Sequence, residues 1–193
     1  EWVATQVGYE IQIASNAPDS GLAILYNPRT VLVAARATAL FEGQDYDFGY
    51  RGPVVFDVVY HHRLIRIINL HYKCCGNGVI DEDWWDEEYR RLQSSILLKS
   101  FLDQEPDLPT LVVGDWNDAI SDPPSSNVFQ PFLDDSEKYR FADQEIASHL
   151  NQDQWSFPSY PSHIDHILIN QPLFAESLES TPVVETIFLE QAL

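Results

Sequence analysis

The chain has 193 residues, 45% of them hydrophobic and 21% charged, a length and balance that suit one globular domain and argue against disorder. Its net charge of −19 opposes a phosphate backbone, because nucleic-acid binding draws on a Lys/Arg surface and counterion release. Long DNA or RNA is therefore a doubtful partner unless a divalent metal and a local basic patch overcome the global field.

Taken in chain order, a short helix is expected over Glu1 to Val7, followed by strands at Tyr9 to Ile13, Leu22 to Tyr26 and Thr30 to Ala35. Val54 to Tyr60 and Leu64 to Leu70 read as two strands separated by His61, His62 and Arg63, the length of a hairpin connection. The hairpin carries Asn69 and His71 to its far end. One helix is well signalled, with Asp83 as cap, Asp86, Glu87 and Glu88 in the first turn where the helix dipole favours negative charge, and Trp85, Tyr89, Leu92 and Ile96 at helical spacing. Pro106 and Pro109 bound it, and further strands follow at Leu111 to Val113, Ile164 to Ile169 and Val183 to Leu189. The stretch Asp122 to Asn127 is a turn-rich loop, not a domain linker. Many strands with few helices predict an α/β fold, a two-layer β-sandwich flanked by helices and spanning residues 1–193 as a single domain.

No run of ~18 apolar residues is present to span a membrane. Cys74 and Cys75 are adjacent, which is neither a disulfide framework nor zinc spacing. Compartment and oligomeric state stay open.

The densest chemistry lies in Leu111 to Ile120, LVVGDWNDAI, where an apolar run delivers Asp115, Asn117 and Asp118 in one tight turn. A buried strand ending in acids and an amide is suited to holding a metal ion and an attacking water. Asp115 and Asn117 alternate, so both can point the same way: Asp115 to orient or deprotonate water or bind metal, Asn117 to contact a phosphate oxygen or bind metal through its carbonyl. The plain alternative is an Asx-turn in which both side chains bond local backbone, and Asp118 reads equally as a turn or cap residue. Two companion blocks, Asn69-Leu70-His71-Tyr72-Lys73 and His163-Ile164-Asp165-His166-Ile167, are likewise attached to apolar runs. His71 can donate to a phosphate oxygen, or be a solvated strand-end histidine. Lys73 adds charge for phosphate or merely ends a strand, and Asn69 reads as an orienting residue. Asp165 stands among isoleucines, where a carboxylate is costly unless compensated. Of His163 and His166, facing opposite ways in a strand, one is expected near substrate, with His166 the choice, and the other structural. The loop Trp155 to Pro161 places aromatics beside these residues, for stacking on substrate or for bracing the sheet edge.

INLHYK, GDWND and SHIDHI, in this order, resemble the endonuclease/exonuclease/phosphatase superfamily of metal-dependent phosphoesterases, and GLAILY at Gly21 to Tyr26 resembles a further strand of that family. The resemblance implies a divalent-metal-dependent hydrolase of phosphate esters, whether phosphodiesterase, nuclease or phosphatase, using Mg2+ or Mn2+. It implies His71, Asp115, Asn117 and Asp165 as catalytic residues, Asp115 and Asn117 as metal ligands, and substrate contacts from Asn69, Lys73, Trp155 and His166. The family's early Gln-Glu segment, with its magnesium glutamate, is expected before Glu1. Its terminal Ser-Asp-His, whose histidine Asp165 would hold, is expected after Leu193. With no methionine in the chain, residues 1–193 read as an excerpt carrying part of the active site and expected to turn over poorly by themselves.

GDWND also fits the G-D-x-x-D block of calcineurin-like phosphatases, whose D-x-H and G-N-H-D/E partners are missing. The acidic run Asp81 to Glu88 lacks the glycine and ligand spacing of an EF-hand. A non-catalytic acidic binding module on the same fold is the alternative from a different class.

Overall fold

The computed structural model describes residues 6–148, 154–157, 162–175 and 184–187. Among them are the strands β1 (Glu10–Ile13), β2 (Ala23–Tyr26), β3 (Leu32–Val33), β4 (Thr38–Ala39), β5 (Val54–Tyr60), β6 (Arg63–His71), β7 (Thr110–Asp115), β8 (Tyr139–Phe141) and β9 (Asp165–Asn170). The helices are α1 (Glu87–Leu102) and two single turns, α2 (Gln130–Leu133) and α3 (Gln144–Ala147). β1 and β2 form a separate antiparallel pair, and the main sheet runs β3-β5-β6-β7-β9-β8 with β4 also on β5.

The main sheet is built outward from the β5–β6 hairpin. Tyr60 pairs with Arg63, so the loop is His61-His62 alone, one residue shorter than the sequence implies. Both residues have positive φ, 48° and 65°, the type I′ geometry that matches strand twist. β6 then leads through α1 into β7, which pairs with β6 in parallel, while β9 returns antiparallel to β7.

Alternation of side chains gives this sheet two working faces. On one, Ile68, Leu70, Val112 and Leu168 pack against Leu98 and Leu102 of α1 and against Phe48, Tyr72, Trp116, Phe129 and Phe132. On the other, Val54, Phe56, Val58, Ile65 and Ile67 meet Ala14, Leu22 and Tyr26 beneath the β1–β2 pair. Asn69 Nδ2 donates to Ala23 O at 3.0 Å, stitching the small sheet to the large one. The second sheet therefore forms a layer over the β5–β6 end, as a sandwich requires.

Several local expectations shift. α1 starts later than Asp83: Asp86 is the N-cap, and its side chain accepts from the Tyr89 N–H. The buried stripe of the helix is Glu88, Arg91, Ser95, Leu98 and Leu102, while Trp85 and Ile96 are exposed. The helix is held by polar groups at its front and apolar ones at its back, so hydrophobic spacing misplaced its inner face. No strand occupies the described residues 184–187 of the expected Val183 to Leu189. The expected helix at Glu1 to Val7 lies largely outside the described residues. No helix among the described residues is long and apolar enough to cross a membrane, and Cys74 and Cys75 are free.

Candidate active site

Three adjacent strands end at the same level. His71 on β6 is in register with Asp115 on β7, and Asp115 is in register with Asp165 on β9. Residues in register share a face of the sheet, here the face that carries the β1–β2 layer. Three residues far apart in the chain thus form one row.

Trp116 fixes the centre of that row. It is fully buried, ringed by Tyr72, Phe129, Phe132 and Phe141, and its indole N–H donates to His166 O at 3.1 Å. With this ring anchored in the core, Asp115 and Asn117 on either side of it are turned outward. Asn117 takes a positive φ of 53°, a conformation asparagine tolerates better than most residues. Its side-chain amide donates to Tyr72 O at 3.0 Å and its backbone N–H to Asp115 Oδ1 at 2.9 Å. The Asx-turn and the functional arrangement thus coexist: Oδ1 of Asp115 closes the turn while Oδ2 faces His71 Nε2 at 3.5 Å. Gly114 is demanded by this geometry, with φ 141° and a hypothetical Cβ only 2.0 Å from Leu70 O.

Arg51, which no sequence motif marks, completes the row. Its guanidinium lies 3.0 Å from His71 Nδ1, and because a guanidinium only donates, Nδ1 accepts and the ring proton sits on Nε2, toward Asp115. Burial and the Arg51 charge lower the His71 pKa, outweighing the opposite pull of Asp115 and Asp165. Burial chiefly raises the Asp115 pKa, reinforced by the Asp165 charge and opposed by the Asn117 N–H, His71 and Arg51. The arrangement holds a neutral imidazole N–H donor beside a carboxylate of raised basicity, a pairing suited to water activation and to contact with an accumulating negative charge.

The other expected residues are dispersed. Asn69 holds Ala23 of the small sheet. Lys73 Nζ donates to Cys74 O at 2.9 Å and stands 3.7 Å from Glu87. Asp118 is an anchor: its Oδ2 accepts from Arg91 Nε at 2.8 Å, and the same guanidinium donates to Lys73 O and Cys75 O. Asp165 is exposed, so the burial cost inferred from its isoleucine neighbours does not arise. The Ser156 hydroxyl accepts the backbone N–H groups of Ile164 and Asp165 at 2.9 and 3.0 Å, setting the start of β9. Trp155 is half-buried and Phe157 exposed; residues 158–161 of that loop lie outside the described ones.

His166 faces away from the row. It is buried on the opposite side of β9, with Nδ1 2.6 Å from Asp143 Oδ2 and Nε2 2.9 Å from Asp118 O, which leaves no ring nitrogen for substrate. Asp143 also meets His163 Nε2 at 3.1 Å and accepts from Ile167 N at 2.8 Å. Burial works against charge on Asp143, but these bonds hold its carboxyl at about 2. Burial lowers the His163 pKa and the Asp143 and Gln154 bonds overcome it, for a net rise. Asp143 was invisible in the sequence because it stands 20 residues before His163 with no shared motif. A cleft of about 340 Å³ is bordered by Asp165, Val113, Ile167, His163 and Asp143. A larger hollow of about 640 Å³, between α2, β8 and α3, contains none of the row.

For magnesium or manganese the test is the donor set. The carboxylate of Asp115 and the side-chain carbonyl of Asn117, whose amide nitrogen is turned to Tyr72, are hard oxygen donors at one strand end, the kind of donor such an ion takes.

Comparisons agree with this architecture. The catalytic domain of human Nocturnin, with bound sulfate, superposes with a TM-score of 0.55 at 16% identity, covering 89% of this chain and 64% of that one. D. rerio TDP2, complexed with a single-strand DNA product, gives 0.55 at 13% identity, covering 88% and 65%. An endonuclease/exonuclease/phosphatase family protein from Bacteroides thetaiotaomicron gives 0.56 at 17% identity, covering 84% and 61%. The chain thus spans less than two thirds of the length of each of these structures. No curated protein matches it in sequence. With the Endonuclease/Exonuclease/phosphatase family profile matching residues 6–186 and this fold beneath it, the chain belongs to that family.

Proposed function

We propose that this chain carries the catalytic core of a divalent-metal-dependent hydrolase of phosphate esters. The observation that carries the reading is the register of His71, Asp115 and Asp165 across three strand ends, with Arg51 behind the histidine. Asp115 orients the attacking water and accepts its proton. His71, held as the Nε2–H tautomer, donates to a non-bridging phosphate oxygen, where the bond strengthens as charge accumulates. Asn117 and Asp165 complete the polar wall of the site. Mg2+ or Mn2+, held by Asp115 and Asn117, would supply Lewis-acid polarisation of the phosphate. TDP2 bound to a DNA product and Nocturnin bound to sulfate support a phosphate-shaped site on this fold.

The test is hydrolysis of bis-p-nitrophenyl phosphate by the full-length protein with Mg2+, with EDTA, and with Asp115→Asn. Chelation is expected to abolish turnover, and Asp115→Asn to lower it by about 10²-fold or more with the fold intact. Activity that survives chelation would remove the metal, and a folded, fully active Asp115→Asn would remove the assignment of the base. A folded protein that binds phosphate esters without turnover would instead be the binding module.

A further inference from the structure

On the far side of β9 from the proposed catalytic row, Asp143, His163 and His166 are all buried, and one ligand atom from each lies within 4.8 Å of the others. They come from three segments: the turn after β8, the approach to β9, and β9 itself. Their hydrogen-bond partners settle where the ring protons belong. His163 Nδ1 is 2.7 Å from Gln154 O and His166 Nε2 is 2.9 Å from Asp118 O. A carbonyl oxygen only accepts, so each of these outer nitrogens carries a proton.

A neutral imidazole with its proton outward presents a lone pair inward. His163 Nε2 and His166 Nδ1 then face Asp143 Oδ2, at 3.1 and 2.6 Å, while Asp143 Oδ1 is already satisfied by the Ile167 N–H. Three donor atoms converge on one buried point, held together either by protons shared between the rings and Asp143 Oδ2 or by one dication that displaces them.

We propose that Asp143, His163 and His166 form a zinc-type site, separate from the magnesium or manganese of the catalytic row. Two imidazoles and a carboxylate are a common three-residue donor set for Zn2+, with bond lengths near 2.0–2.2 Å. Seating the ion requires Asp143 Oδ2 and His166 Nδ1, now 2.6 Å apart, to part to roughly 3.3 Å, the span of two ligands at these bond lengths. The outward N–H groups already donate to backbone carbonyls, the arrangement that normally orients metal-bound histidines. The cleft of about 340 Å³ that borders all three residues gives an entry path and room for a fourth ligand such as water. The ion would clamp the turn after β8 to β9, next to Asp165.

The experiment uses the full-length protein, dialysed against a chelator and titrated with Zn2+ and, for its optical spectrum, Co2+. One equivalent is expected to bind with a four- or five-coordinate Co2+ spectrum, and to persist in Asp115→Asn. His163→Gln and His166→Gln should each weaken binding by more than about 10²-fold, beyond the roughly 10–100-fold that outer partners cost. Ring 15N NMR of the unsubstituted protein keeps the test independent of how these variants fold. With Zn2+, His163 Nε2 and His166 Nδ1 should move to metal-bound shifts while the outer nitrogens stay protonated. Two doubly protonated rings that ignore Zn2+, or Zn2+ binding lost in Asp115→Asn with these rings unperturbed, would overturn the site.

Discussion

Arg51 is the residue on which the electrostatics of the row turn. Its positive charge lowers the pKa values of both His71 and Asp115, so removing it raises both. Arg51→Ala is therefore expected to shift the His71 ring titration upward by NMR. It should also move the acid limb of the pH–rate profile upward, because the base works only as a carboxylate and loses activity as pH falls through its raised pKa. A titration of His71 that stays in place would disprove the Arg51 contact. Asp118 acts differently, since its ion pair with Arg91 is buried on both sides, 3% and 9% exposed. Breaking a buried pair from one side costs roughly 3 kcal/mol or more. Asp118→Asn should thus lower the unfolding midpoint in urea by far more than it lowers turnover of the folded enzyme. The reverse pattern would place Asp118 in the chemistry.

At the scale of elements, the path from β6 through α1 to β7 decides whether the row exists. β7 approaches β6 so closely at Gly114 that an added Cβ would meet the Leu70 carbonyl. Gly114→Ala must therefore separate the two strands or twist the Asp115 side chain away, and with φ at 141° it strains the backbone as well. A loss of at least ~2 kcal/mol in stability is expected, with turnover of the residual folded protein lowered. An unchanged melting curve would show that the strands tolerate the wider spacing. The β5–β6 hairpin, β7 and β9 were legible in sequence because apolar runs and turn residues mark them directly. The row itself was legible only as three motifs. What escaped were features made by pairing across distance. Arg51 sits in a loop 20 residues before the histidine it touches, β8 spans only three residues, and Asp143 acquires meaning from two histidines that follow it. Strand alternation predicts that His163 and His166 face opposite ways with one of them at the substrate, whereas β9 begins only at Asp165 and both rings meet Asp143 on the side away from the row. The inner face of α1 was misread because buried Glu88 and Arg91, not apolar residues, seat its front end.

For the whole molecule, the deciding quantity is the net charge of −19, set against a row in which Arg51 is the cation at His71. A small phosphodiester is repelled little by such a field, while a long polyanion is repelled along its length. Proteins that grip DNA through lysine and arginine lose affinity as salt rises, by counterion release. This protein should show the opposite sign. At ~0.01 M salt the field reaches about 30 Å, and at ~0.15 M about 8 Å, so screening relieves the repulsion. At constant free Mg2+, kcat/KM for a single-stranded oligonucleotide is expected to rise several-fold between those two ionic strengths. The value for bis-p-nitrophenyl phosphate should change little. Measuring both substrates in the same salt series separates long-range repulsion from any direct effect of salt on the catalytic row, which would move the two together. A steep fall for the oligonucleotide alone would mean that a local basic surface outweighs the global charge, and would restore long nucleic acid as the substrate.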